Sequence, residues 1–273
     1  MSNKERNVNY MLTNARQKII ESIALRDGEV IISKVAKELD VSIETVRRDI
    51  NAMCKKNLLT KVHGGAIPVG SVMTEPSYVE RQSSNSDIKK KLGAEAVKLI
   101  KSNAVISIAT GSTMEAIAAN IAGVHDVTVL TNALPIAGIL TEKKDRDLYD
   151  GKIMLFGGQV QTYDHLTYGP GVLEQISRFY ADIAFVSVGA LSGNALMNSN
   201  IESGVTTEAM LKNAAYTVLV LDSSKFGKQS VYRFADLGMI REIITDNEHR
   251  IPHNTMEIIK KRNIKLRVIN VKN

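Results

Sequence analysis

Residues 42–65 read SIETVRRDINAMCKKNLLTKVHGG, from Ser42 to Gly65. The Ser42 hydroxyl can accept a backbone N–H and so cap a helix that begins just after it. Ile43, Val46, Ile50 and Met53 recur at helical spacing and are expected to share one buried face. Glu44, Thr45, Arg47, Arg48 and Asn51 then fall on the other side. Two adjacent arginines near a helix N-terminus suit phosphate oxygens and guanine edges in a major groove. Leu58 to Val62 alternates like a short strand, and Gly64-Gly65 offers the flexible turn of a hairpin wing.

The chain before this stretch extends the pattern. Arg16 to Arg26 carries Ile19, Ile20, Ile23 and Ala24 on one helical stripe, and Gly28 is expected to end it. Ser33 is expected to cap a second, short helix from Lys34 to Leu39, with Val35, Ala36 and Leu39 inward. Asp40-Val41 makes the tight turn into Ser42. Helix, short helix, turn and recognition helix is the helix-turn-helix order, so residues 1–67 are expected to form a winged domain that reads double-stranded DNA. A small three-helix bundle with solvated arginines would give the same pattern over Ser42 to Ile50 alone. The wing and the charge distribution favour the DNA reader.

The chain has 273 residues and a formal net charge of +6. Residues 1–70 hold 12 Lys and Arg against 8 Asp and Glu, so they carry +4 of that excess. A positive surplus gathered there favours a polyanionic partner. Cys54 is the single cysteine, which excludes an intrachain disulfide and a zinc cluster built on cysteines. It stands beside the buried stripe and reads as packing. Ser2 to Tyr10 is polar, unlike a signal peptide, and no apolar run approaches the roughly 20 residues needed to cross a bilayer. A cytoplasmic protein with no membrane partner is expected.

Texture changes after Ile67. Residues 68–87 are rich in Ser, Pro, Gly and polar residues and read as a linker into a second domain, 88–273. From Lys89 onward helical and apolar strand patterns alternate. Ala104–Ala109, Val127–Leu130, Ile153–Phe156, Ile183–Val188, Val218–Leu221, Ile243–Thr245 and Leu266–Ile269 are the strand candidates. That alternation implies a mostly parallel α/β sheet.

Ligands of such sheets bind beyond the carboxyl ends of the strands. The first strand runs into Thr110-Gly111-Ser112-Thr113 and a helix, a combination of close backbone approach, free helix N–H groups and two hydroxyls that suits an oxyanion. The same residues also make ordinary helix caps. Other strands deliver Thr131-Asn132, Gly157-Gly158 and Gly189 to the same edge. Asp222-Ser223-Ser224-Lys225-Phe226 adds a carboxylate suited to sugar hydroxyls and a cation suited to phosphate, or a surface ion pair. Asp164 and His165 stand in a loop where ligand contact and plain solvent exposure are both open.

Ser42-x-x-Thr45-Val46-Arg47-Arg48-Asp49-Ile50 followed by Val62-His63-Gly64-Gly65-Ala66 resembles the signature of the DeoR family of bacterial transcriptional regulators. Lys61 departs from it, standing where the family usually has Arg, and a Lys lacks the planar fork that gives bidentate phosphate contacts. Glu75-Pro76-Ser77-Tyr78 and Arg81 resemble the family's entry into its C-terminal domain, and Thr131-Asn132, Gly157-Gly158 and Asp222 to Phe226 match its pattern there. Gln159 to Leu166 and Ser192 to Ser203 fall in family-variable loops expected to shape selectivity. The resemblance implies an effector domain similar in fold to ribose-5-phosphate isomerase, with Gly111, Ser112 and Thr113 on a phosphate and Asp222 and Lys225 at the sugar end.

The expected function is therefore a repressor of a carbohydrate or sugar-alcohol operon, released from DNA by a phosphorylated sugar or sugar alcohol. Thr45 and Arg48 are assigned to base edges, Arg47 and Lys61 to phosphates, and His63 to support of the wing. Ser42, Glu44, Asn51 and Gly64 complete the expected interface. A homodimer or homotetramer is expected, because helix-turn-helix proteins usually read paired half-sites. A retained isomerase would need a base such as Asp222, but Ser224-Lys225-Phe226-Gly227 lacks the Lys-Pro-Gly-Gly pattern of those enzymes. No catalytic residue, cofactor or metal is expected. Activation in place of repression stays open, because its sign depends on operator position.

Overall fold

A computed structural model describes residues 13–27, 30–56, 58–62, 65–68 and 78–271. The chain divides into two compact units, Met1–Thr74 and Glu75–Asn273.

The first unit contains α1 (Thr13–Asp27), β1 (Val30–Ile31), α2 (Ile32–Glu38), α3 (Ile43–Lys55), β2 (Leu59–Val62) and β3 (Gly65–Pro68). Its core joins Ile20, Ile23 and Ala24 of α1, Val35 and Ala36 of α2, and Val46, Ile50 and Met53 of α3, with Leu59 and Ala66 from the strands. The turn from α2 to α3 passes through Asp40 at φ 50°, a conformation that Asp tolerates better than most residues. Burial in α3 starts at Val46, so Ile43, expected on the inner stripe, is instead 47% exposed at the first helical position. Ser33 does not cap α2, which begins at Ile32, two residues earlier than expected and directly off β1, with Ile31 at the N-cap and no side-chain cap. The expected break at Gly28 lies outside the described residues.

The wing is a three-stranded antiparallel sheet in the order β1-β3-β2. Gly65 is not a turn residue here. It pairs with Ile31 inside β3, and a Cβ on it would stand 1.9 Å from the Val30 carbonyl oxygen. Close approach of two backbones, not flexibility, demands glycine at this position.

The second unit begins with α4 (Tyr78–Ser83) and α5 (Ser86–Ala96). Of the expected linker of 68–87, Pro68 ends β3, Tyr78–Ser83 is helical, and residues 69–77 lie outside the described residues. Then come β4 (Val105–Ile108), α6 (Ser112–Asn120), β5 (Thr128–Thr131), α7 (Leu134–Asp145), β6 (Lys152–Leu155), β7 (Gln159–Gln161), β8 (Leu166–Tyr168), α8 (Pro170–Ser177) and β9 (Ala181–Val186). The chain finishes with β10 (Ala190–Ser192), β11 (Ala195–Asn198), α9 (Ile201–Lys212), β12 (Ala214–Val220), β13 (Tyr232–Asp236), β14 (Glu242–Asp246), α10 (His253–Lys261) and β15 (Lys265–Ile269).

Seven of these strands form one parallel sheet in the order β15-β14-β12-β9-β4-β5-β6. All seven overlap the apolar runs expected to be strands. Both faces are covered, as a parallel sheet requires. Ile106, Ile108, Val129, Val218 and Val220 pack with α5, α6 and α7, and Val186, Leu219 and Ile243 pack with α8, α9 and α10. Small antiparallel additions start at the two expected loops: β7 pairs with β8, and β10 and β11 form a separate sheet with β13, which comes from further along the chain. These strands are three to five residues long, too short for period-two alternation to stand out.

The sheet order decides where a ligand can sit. From β4 the chain proceeds to β5 and β6 on one side, and from β9 to β12, β14 and β15 on the other. Connections leaving the carboxyl ends of β4 and β9 therefore turn in opposite directions, which opens a crevice between them.

Candidate DNA interface and effector cleft

In the first unit, Ser42 accepts from the backbone N–H of Thr45 at 3.1 Å, and the two hydroxyls lie 2.8 Å apart. Ser42 thus caps α3, and Thr45 shares in that cap. Glu44, Arg47, Arg48 and Asn51 are exposed on the face opposite Val46, Ile50 and Met53. Arg47 is held loosely by Glu44 at 3.7 Å, a pair so exposed that it contributes little. Lys61 is exposed on β2 opposite Ala66. His63 and Gly64 lie outside the described residues.

Asp49, within the motif, does not face the groove side. It is buried and ion-paired with Arg16 of α1, which donates to its two carboxylate oxygens through Nε and Nη2, and these bonds keep the guanidinium pKa above its ordinary value. The pair ties α3 to α1. Burial raises the Cys54 thiol pKa, against a smaller opposite pull from Lys61, which suits a packing role.

In the second unit a cleft of about 570 Å³, continuous with solvent, opens at the carboxyl ends of β4 and β9. One wall is Thr110-Gly111-Ser112-Thr113 and another is Ser187-Val188-Gly189. Gly111 has φ 120° and N-caps α6 without any side-chain cap. The amides of Ser112 and Thr113 stand in the first turn, where the helix supplies no carbonyl for them. A Cβ on Gly111 would meet nothing within 4 Å, so this stretch of backbone is open on that side. Asn198, Asn200 and Ser203 contribute from β11 and the start of α9, and Asp164 from the β7–β8 turn.

Three cations reach the same space: Arg81 of α4, Lys89 of α5 and Lys225. The Lys89 ammonium donates to the carbonyls of Arg81 and Ser84. Burial lowers its pKa from 10.5 to about 8, with Lys225 and Arg81 pushing the same way and Asp222 opposing them. A weakened, partly desolvated ammonium beside uncapped helix amides is a setting in which an anion gains strongly from binding.

Of the expected effector residues, Thr110, Gly111, Ser112, Thr113, Gly189 and Lys225 meet in the cleft. The others stand apart from its lining. Asp222 is buried, accepts from the Ser224 backbone N–H and hydroxyl and from Asn85 Nδ2, and so builds the turn that presents Lys225. Burial alone would raise its pKa, but Lys225, the Ser224 hydroxyl, Lys89 and Asn85 hold it below the ordinary value. Thr131 donates to the Ile108 carbonyl and accepts from the Ala133 N–H, which locks β5 to β4. Asn132 is buried against the Thr167 carbonyl. Gly157 exchanges hydrogen bonds with Gln175, and Gly158 packs where a Cβ would stand 2.5 Å from the Tyr168 carbonyl oxygen. Their small size and polarity serve backbone packing. Asn198, Asn200 and Ser203 fall within the Ser192 to Ser203 stretch expected to shape selectivity, whereas Lys89 was not singled out by motif, because it comes from α5, away from the strand ends.

A helix-turn-helix head and an α/β unit with an anion-suited crevice define a ligand-responsive DNA-binding regulator. Residues 16–71 match the model of the DeoR-like helix-turn-helix domain, and residues 84–247 match that of the DeoR C terminal sensor domain. The chain belongs to the DeoR family and is a DNA-binding transcriptional regulator. It is 27% identical over 256 residues to the glycerol-3-phosphate regulon repressor of Escherichia coli, covering 93% of this chain and 98% of that one. It is 31% identical over 235 residues to the lactose phosphotransferase system repressor of Lactococcus lactis, covering 85% and 90%. Among solved structures it is similar to ribose 5-phosphate isomerase A of Methanocaldococcus jannaschii, with 19% identity, a TM-score of 0.38, and coverage of 52% and 55% of the two chains. No helix among the described residues is long and apolar enough to cross a membrane.

Proposed function

We propose that the chain represses an operon for carbohydrate or sugar-alcohol utilisation and leaves its operator when a phosphorylated sugar occupies the cleft. The observation that carries this reading is the uncapped N-terminus of α6, opened by Gly111 and faced by Lys89 and Lys225 in one crevice. Helix amides with two cations suit a phosphate monoester dianion. Thr110, Ser112, Thr113 and Gly189 line its surroundings, and Asp222 acts by positioning Lys225. The relatives, repressors of a glycerol-3-phosphate regulon and of a lactose phosphotransferase system, lend support.

On the DNA side, Thr45 and Arg48 read base edges, and Arg47 and Lys61 hold phosphates. Glu44 and Asn51 flank them on α3, and Ser42 orients the helix. A homodimer or homotetramer engages paired half-sites in the cytoplasm. Induction requires that the effector bind the DNA-free conformation better than the DNA-bound one, since equal affinity shifts nothing.

The test is a fluorescence-anisotropy titration with DNA from directly upstream of the protein's own operon, with random competitor and then with a panel of sugar phosphates. Release by one member supports both halves of the reading. Tight operator binding that no member alters removes the effector half, and equal affinity for operator and random DNA removes the operator half.

A further inference from the structure

The cleft contains one carboxylate among its cations, and its surroundings are unusually well built. Arg81 forms an ion pair with Asp164, and their side chains are only 10% and 9% exposed. The second oxygen of Asp164 accepts from Asn200 Nδ2 at 2.6 Å. Asn200 in turn caps α9 by accepting from the Ser203 N–H at 3.0 Å. A carboxylate has about four acceptor positions, and this one still lines the cleft after both partners are counted.

Arg81 belongs to α4, the first helix of the sensor unit, and α4 is fastened to two walls of the cleft. The Tyr78 hydroxyl donates to Glu115 of α6 at 2.8 Å, and Gln82 donates to the other Glu115 oxygen at 3.0 Å. The Ser112 hydroxyl donates to the Arg81 carbonyl at 3.1 Å. On the opposite wall the Tyr78 ring lies 4.2 Å from the His165 ring, next to Asp164. Thus α4 bridges the α6 terminus and the β7–β8 turn.

A buried carboxylate repels a phosphate, so its use in an anion cleft is at the uncharged end of the ligand, where hydroxyls donate to it. We propose that Asp164 reads the hydroxyl groups of a phosphorylated sugar or polyol, and that its ion pair with Arg81 passes occupancy of the cleft to α4. The inference rests on the reading of the cleft as a phosphate-ester site. A ligand joined to Asp164 adds a further bond to the group that anchors Arg81, so α4 is held more firmly in the sugar-bound cleft. Inorganic phosphate fills the helix-terminal end and leaves Asp164 untouched.

The experiment uses the full chain and compares inorganic phosphate with glycerol 3-phosphate, ribose 5-phosphate and fructose 6-phosphate by calorimetry, in wild type and Asp164→Asn. Wild type should prefer at least one ester over inorganic phosphate. Asp164→Asn should lose roughly tenfold of that preference, the scale of one hydrogen bond to a charged group. It should bind inorganic phosphate as tightly as before or tighter, because a negative charge has left the cleft. A merely structural role would weaken both ligands together. Amide exchange in wild type gives a second readout that does not need the variant to fold: residues 78–83 should slow with the preferred ester and not with inorganic phosphate. Retained preference in Asp164→Asn, parallel loss of both ligands, or equal protection of α4 by inorganic phosphate overturns the inference while leaving the phosphate site intact. If wild type binds neither inorganic phosphate nor any ester, the reading of the cleft falls, and the inference with it.

Discussion

Lys89 carries a cost that a purely structural residue would not. Its ammonium is buried, and its pKa falls from 10.5 to about 8. At about 1.4 kcal/mol per pH unit, holding that charge in the folded chain at pH 7 costs about 3 kcal/mol. Replacing Lys89 by Met keeps an unbranched apolar stem and removes the charge. The loss is two charge-assisted hydrogen bonds, to the carbonyls of Arg81 and Ser84, worth about 1.5–3 kcal/mol each. The desolvation cost removed offsets about half or more of that loss, so Lys89→Met should lower the stability of the sensor unit by no more than about 3 kcal/mol at pH 7 while weakening anion binding by at least about tenfold. The assay is urea unfolding of the full chain, followed by the sensor transition at several pH values, with phosphate titrations alongside. Because the folded-state pKa lies below the unfolded one, the unfolded chain keeps its proton between about 8 and 10.5 while the folded chain releases it, and wild-type stability rises with pH across that window. The variant should fall further behind wild type there. Phosphate affinity of wild type should fall above pH 8 as Lys89 loses its charge. A stability difference between variant and wild type that stays flat from pH 7 to 10 would refute the idea that Lys89 is a strained functional charge.

Three further outcomes test the reading head. Arg48→Ala should cost operator binding about 1–3 kcal/mol and relax preference at one base position, whereas Arg47→Ala should weaken operator and random DNA alike; anisotropy against a set of single-base operator variants separates them. Asp49→Ala removes the buried carboxylate that the half-buried Arg16 holds and should destabilise the first unit by about 1–3 kcal/mol in thermal melts, with Arg16→Met/Asp49→Leu recovering most of the loss. Gly65→Ala sets a methyl 1.9 Å from the Val30 carbonyl oxygen, so the wing must shift; a loss of about 1–3 kcal/mol is expected, together with weaker DNA binding.

The reading head was legible because its signals are local. A capping Ser42, a stripe at helical spacing and a basic outer face all lie within one stretch of chain, and each follows from backbone geometry. What escaped was non-local. Asp49 looks like part of the polar face by type, yet it turns inward because Arg16, 33 residues earlier, meets it there. Gly65 looks like a turn glycine beside Gly64, yet its need comes from β1 crossing behind it. Ser33 looks like a cap, but Ile31 already starts α2 from the end of a strand that two residues could not announce.

The sensor sheet was legible for a different reason: buried parallel strands are continuous apolar runs, and seven of them stood out. The order of those strands was not legible, and the order selects the site. Strand ends at Thr131-Asn132 and Gly157-Gly158 carry the same small and polar residues as Thr110 to Thr113, but they follow β5 and β6, on one side of the reversal, where successive connections leave no crevice. At the reversal between β4 and β9 the backbone supplies amides and small side chains but no positive charge. Cations must then come from outside those two strand ends, and they do, from α4, α5 and the turn that Asp222 builds after β12. A motif search along strand ends cannot find Arg81 or Lys89 for that reason. Two of the three charges that an anion would meet are thus mounted on the first two helices of the sensor unit, so any anion that neutralises them acts on the segment through which the chain enters the sensor.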